Sequence, residues 1–112
     1  MSLDITLTAL RPTTVWDLNI THNLNTMADA VKVRDTTLYK VLWYPEELGL
    51  KTGEDILPYL QVGLSMLMTF PEEYKQHNPS NGWGDYDSLV DFVESYLIAC
   101  TEFPDGVIEI SK

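Results

Sequence analysis

Residues 56–71 read ILPYLQVGLSMLMTFP, sixteen positions without a formal charge. At 100° per residue, Ile56, Leu57, Leu60, Gly63, Leu64, Leu67 and Met68 share one face of a helix. Tyr59, Val62, Met66 and Phe70 form a second apolar stripe beside it, and Gln61, Ser65 and Thr69 leave only a narrow polar strip. A surface helix normally carries one apolar stripe with charges opposite. This one is apolar over roughly two-thirds of its circumference, so it is either buried on two sides or lends one side to a partner. The Leu60–Leu64–Leu67 side is expected to pack on the terminal strands or the last helix. The other side is covered by the helices preceding it, or it is an interaction surface.

The helix start is ambiguous. Thr52 and Asp55 have capping-box spacing, but a start at Thr52 sets the Pro58 ring against the Glu54 carbonyl. A later start near Asp55, with Pro58 in the first turn, is the expectation. Pro71 ends or kinks the helix. Before it, Pro45-Glu46-Glu47-Leu48 reads as a single helical turn closed by Gly49 in a left-handed conformation. Leu38–Tyr44 reads as a short helix, as does the segment from Thr21 carrying Leu24, Met27, Ala28 and Val31. A polar break at Arg34–Thr37 separates those two. After Pro71, a helical turn over Glu72–Gln76 leads to the loop HNPSNGWGD, and Asp85 caps a last helix whose apolar face is Leu89, Phe92, Val93, Tyr96, Leu97 and Cys100.

The ends of the chain have a different period. Leu3, Ile5, Leu7 and Ala9 alternate with Asp4, Thr6 and Thr8, the pattern of a half-buried strand, and Val107–Ile110 alternates likewise. Residues 15–20 suit either a strand or an extended connection. The expected fold is therefore α+β: one mostly helical domain, residues 1–112, with a small antiparallel sheet formed by the N- and C-terminal strands.

Composition excludes more than it selects. The 45% apolar and 11% aromatic content marks a folded globule. One cysteine, Cys100, rules out an intrachain disulfide or a Cys-based zinc site. The 17 acidic residues against 7 basic ones give a net charge of −10, and 7 acidic residues but only Lys112 among the basic ones lie in 76–112. That balance disfavours direct binding to nucleic acid or to an anionic membrane. The uncharged stretch is also too short and too interrupted to span a bilayer. No basic, apolar leader opens the chain.

No catalytic motif, metal set or cofactor loop is present in the sequence. Glu46-Glu47, Glu54-Asp55 and Glu72-Glu73 each fall in a first helical turn, where the helix dipole accounts for them. Cys100 falls on an apolar face, where an inert thiol is expected. His22 and Asn23, at a strand-to-helix junction, and Trp83, between two glycines, are candidates for holding a small polar ligand. Capping chemistry is the preferred account of the first two, and a lid over the core that of the third.

The phrases Asn19-Ile20-Thr21-His22-Asn23-Leu24, Leu42-Trp43-Tyr44-Pro45-Glu46-Glu47-Leu48-Gly49 and Asn81-Gly82-Trp83-Gly84-Asp85-Tyr86 resemble a set found in small bacteriophage and prophage proteins of unassigned function. The resemblance covers about residues 15–100. It implies an accessory protein acting in the bacterial cytoplasm and supplies no activity. The family carries charges on the outer side of the central helix, where this chain has Val62 and Met66.

The functional expectation is a non-enzymatic protein that binds a protein partner or a second copy of itself through Tyr59, Val62, Met66 and Phe70. The alternatives are an acidic decoy for the groove of a DNA-binding enzyme, using Asp85, Asp87, Asp91 and Glu94, and a ligand binder using His22, Asn23 and Trp83.

Overall fold

The computed structural model of the chain describes residues 2–8, 14–79 and 84–111, with the backbone alone for 14–18 and 22. The fold is α+β. Strands β1 (Ser2–Thr8), β2 (Thr14–Thr21) and β5 (Val107–Ser111) form an antiparallel sheet in the order β2-β1-β5. The N- and C-terminal strands pair as expected, with Ile5 opposite Ile110 and Leu7 opposite Ile108. Residues 14–21 add a third strand, which sets Ile20 opposite Leu3. The alternation of β1 explains which face is covered. Leu3, Ile5 and Leu7 are fully buried, while Asp4 is exposed on the other face.

Between β2 and β5 the chain is mostly helical. A 3-10 turn at His22–Leu24 leads into α1 (Asn25–Ala30). The expected polar break is instead a small ribbon, β3 (Lys32–Val33) with β4 (Thr36–Thr37), turned through Arg34 at φ 56°. No glycine or asparagine signals that turn. Helix α2 (Leu38–Trp43) follows, started by the Thr37 side chain accepting from the Lys40 N–H. The Pro45–Leu48 turn is 3-10 and ends on Gly49 at φ 73°, the left-handed closure its sequence implies.

Helix α3 spans Gly53–Thr69, so the later start near Asp55 is overturned. The reason is hydrogen bonding at its first turn. The Thr52 N–H donates to Asp55 Oδ2 (3.3 Å) and the Asp55 N–H to Thr52 Oγ1 (3.4 Å). The Gly53 N–H donates to the Gly106 carbonyl (2.9 Å) and the Glu54 N–H to the Pro104 carbonyl (2.8 Å). All four donors that a helix start leaves open are therefore satisfied. Against this, Pro58 removes one internal bond, at the carbonyl of the exposed Glu54, where water can replace it.

Helix α4 (Pro71–Lys75) and helix α5 (Tyr86–Glu102) complete the layer. Asp85 caps α5, its Oδ1 accepting from the Ser88 N–H at 2.9 Å. Helices α3 and α5 run antiparallel. The Gly53 end of α3 lies against Cys100 and Phe103, and the Tyr86 hydroxyl at the other end donates to the Leu67 carbonyl at 2.5 Å. Leu89, Phe92, Val93, Tyr96 and Cys100 are buried as expected, with Leu97 half-buried. The buried apolar side chains of both layers form one continuous core.

Two glycines of α3 separate backbone crowding from side-chain crowding. A Cβ on Gly53 would lie 2.8 Å from the Phe103 carbonyl oxygen and 3.3 Å from Cys100 Cα; one on Gly63 would meet the Leu38 Cδ1 tip at 2.9 Å. Helix propensity favours alanine over glycine by about 1 kcal/mol at Gly63, in the helix interior, and by less at Gly53, its first residue. At Gly53 the rigid backbone contact outweighs that gain. Gly53→Ala is expected to lower stability by about 1–2 kcal/mol, while Gly63→Ala, where a flexible leucine tip can turn aside, stays within about 1 kcal/mol of the parent. Urea midpoints at equal m-value check the pair.

Candidate functional site

The two apolar stripes of α3 have different fates. Ile56, Leu60, Gly63 and Leu67 are buried, and Leu57 and Leu64 are half-buried. Met68, expected on this packed face, is 62% exposed. It stands at the margin of the face in the last turn of the helix, so its side chain is left in water. On the second stripe, Tyr59, Val62 and Met66 are half-buried and pack against the core. The Arg34 guanidinium sits 4.8 Å from the centre of the Tyr59 ring, a cation–π contact made by the β3–β4 turn. Phe70, at the end of the stripe, is 46% exposed. The ribbon after α1 thus covers the start of the stripe and leaves Phe70 as its open end. Exposed Glu72 and Glu73 follow immediately.

The ligand-binding candidates are not brought into one describable site. Asn23 is exposed, and its N–H donates to Thr21 Oγ1 at 3.3 Å, which is capping chemistry. The His22 side chain and all of Trp83 lie outside the described residues. A polar hollow of about 260 Å³ does occur one turn further on, lined by Asn25, Thr26, Asp29 and Tyr39. Asp29 Oδ1 accepts from Thr37 Oγ1 at 3.2 Å, and the Tyr39 ring lies 5.3 Å from Trp43 and 5.7 Å from Tyr44. A hydrogen bond with Tyr44, then burial, push the Tyr39 hydroxyl pKa up, so Tyr39 is held neutral. Its chemistry in this hollow is that of a hydrogen-bonding wall.

The acidic face of α5 is fully open. Asp85, Asp87, Asp91 and Glu94 are all exposed, and the helix carries no lysine or arginine. Hydrogen bonds from the Ser88 N–H and hydroxyl hold the Asp85 carboxyl below the usual carboxylate range. Among the described residues no three His, Cys, Asp or Glu side chains converge to hold a metal, and no helix is long and apolar enough to cross a membrane.

One feature escapes any reading of local sequence. A groove of about 300 Å³ lies between Pro45, Glu46 and Leu50 on one side and Ile108 and Ile110 of β5 on the other. It joins segments about sixty residues apart in the chain, and each half is an ordinary amphipathic fragment until the sheet brings them together. Comparison of the chain with protein-family models, with curated proteins and with solved structures finds no match.

Burial makes Cys100 a structural thiol, its pKa pushed up to about 12, and raises Tyr96 well above an ordinary tyrosine. An unfolded chain loses these protons from about pH 8.5–10 upward, while the folded chain keeps them. The stabilisation is therefore complete below the unfolded pKa values and is lost as pH rises towards the folded ones. Stability is expected to fall above pH ~9 as the Cys100 thiol of the unfolded chain ionises, with Tyr96 adding to the fall above pH ~10. Urea midpoints between pH ~8 and ~10 check this, and Cys100→Ala should remove the part of the fall that begins first.

Proposed function

We propose that this chain is a non-enzymatic accessory protein, of phage or prophage type and acting in the bacterial cytoplasm, that works by binding another protein. The contact is centred on the open end of α3. The observation that carries this reading is the exposure of the last turn of α3. Of four exposed large apolar side chains among the described residues, Met68, Phe70, Ile98 and Val107, two stand within three positions of each other. Phe70 extends a row of half-buried apolar side chains, Tyr59, Val62 and Met66, whose covered end provides a rigid base, and Met68 stands in the same last turn on the other stripe. Exposed aromatic and methionine side chains on such a base anchor interfaces by filling a partner's pocket.

The occupant is a different protein with cations around its pocket. A second copy would bring another net charge of −10 and another Glu72-Glu73 pair to the same place, and like charges across an interface are costly. Sedimentation of the parent at high micromolar concentration should therefore show a monomer. Phe70→Ser with Met68→Gln leaves the buried row intact, so the fold should persist, while a protein captured from a bacterial host extract should be lost. Ser65→Ala on the polar strip is the matched control. Capture of the same partner by parent and double variant alike would place the contact elsewhere.

A second reading rests on α5, where Asp85, Asp87, Asp91 and Glu94 are exposed on a helix without cations. Such a row would mimic a phosphate backbone in the groove of a DNA-binding enzyme. Binding of that kind weakens steeply with salt, so salt-insensitive capture would exclude it. The anchor model predicts the reverse dependence on residue type. Losing Phe70 and Met68 removes binding at every ionic strength, whereas Asp87→Asn with Asp91→Asn leaves it largely intact.

A further inference from the structure

We infer that the outer edge of β5 receives an extended segment of a partner protein as an added strand, and that the segment it fits alternates apolar residues with lysine or arginine. The backbone supplies the first argument. The Ile108 N–H donates to the Lys51 carbonyl at 2.9 Å, on the side of β5 away from β1. Successive residues of a strand direct their N–H and C=O groups to opposite sides, so the polar groups of Ile110 point to that same outer edge. The chain that covers the beginning of the edge then leaves it. Thr52 bridges Val107, but the Leu50 N–H turns back to the Pro45 carbonyl and the Gly49 N–H to the Glu46 carbonyl. Among the described residues no backbone group pairs with the outer edge at Ile110. An unpaired edge of this kind is a template for a further strand.

The groove is the second argument. Where the 45–50 segment diverges from β5, Pro45, Glu46, Leu50, Ile108 and Ile110 line the wedge of about 300 Å³. Ile108 and Ile110 stand opposite Leu7 and Ile5, on the inner face of the sheet. A strand added at this edge would turn alternate side chains to that face, where an apolar one fills the wedge.

Charge is the third. The intervening side chains of the added strand would lie on the outer face, beside Glu109. There Glu109 Oε2 accepts from Thr6 Oγ1 at 3.5 Å, and exposed Asp4 lies next along β1. No described side chain on β1 or β5 is cationic. Cross-strand neighbours of opposite charge stabilise pairing and like charges oppose it. The edge therefore selects lysine or arginine at those positions and disfavours a second copy of β5, which would bring its own Glu109.

The probe is a capped Lys-Ile-Lys-Ile-Lys peptide titrated into the full chain at low salt, with Glu-Ile-Glu-Ile-Glu as its opposite. Binding of the first and not the second is expected, with the exchange of the Ile110 amide slowed about tenfold or more at saturation. N-methylation of the peptide's alternate amides should weaken binding about tenfold or more. Ile110→Pro should do the same and leave the sheet intact, because that N–H makes no bond to β1 and proline is tolerated on an open edge. The readout is the Ile110 amide, so it is separable from any contact at Phe70. No binding at about 1 mM peptide, affinity indifferent to N-methylation, or a concentration-dependent dimer abolished by Ile110→Pro would each overturn the proposal.

Discussion

The fold depends on the clamp between helices α3 and α5. Its first jaw is the junction of Thr52-Gly53-Glu54 with Pro104–Gly106, where two helix-start N–H groups are satisfied by carbonyls of the turn that follows α5. Its second is the Tyr86 hydroxyl on the Leu67 carbonyl. Both jaws use groups that a helix end leaves unpaired. The pair is therefore held in register by bonds that neither helix could make alone. Absence of a side chain at Gly53 lets the backbones approach closely enough for the first jaw to form. The same junction delivers the chain into β5, since Ile108 pairs with Lys51 immediately afterwards. Helix packing and sheet closure are thus a single event at one corner of the molecule.

That corner also decides which surfaces stay open. Lys51 and Thr52 occupy the start of the β5 edge because they must cap α3, and the chain before them curls into the Pro45–Leu48 turn. The edge beyond is exposed as a consequence of where the cap sits. At the other end of α3, the helix outlasts its cover. The β3–β4 ribbon reaches Tyr59 and the region of Gly63, through Arg34 on the ring and Val33 beside the glycine, and Phe70 beyond it remains 46% exposed.

Sequence legibility follows the same division. Elements fixed by local chemistry are readable: the alternation of β1 and β5, the Asp85 cap, the Gly49 closure and the apolar face of α5. The start of α3 is misread because two of its four donors find acceptors fifty residues away, while the cost of Pro58 is visible locally. The β3–β4 ribbon is missed because Arg34 adopts a left-handed conformation without the usual turn residues. The periodicity of α3 identifies its two stripes but not their extents. Helical angle places Met68 with Leu67, yet exposure at a helix end depends on how far the neighbouring elements reach. The β5 groove was beyond any local reading, since neither 45–50 nor 108–110 forms a surface by itself.

The position of the carboxylates gives these open features a common logic. Glu72 and Glu73 follow Phe70, and Glu109 stands between Ile108 and Ile110. Exposed apolar side chains and unpaired strand edges are hazards for self-association, and charges placed beside them are the usual protection. Here the protection is mainly acidic, with Lys75 pairing with Glu72 at 3.7 Å. In a chain of net charge −10, a carboxylate beside each open apolar feature repels a second copy at that point while attracting a surface rich in lysine and arginine. A neutral polar residue would have kept the chain soluble without that discrimination. The arrangement therefore does more than suppress aggregation. For the two contacts proposed above, it favours partners whose charge is opposite to that of the chain itself.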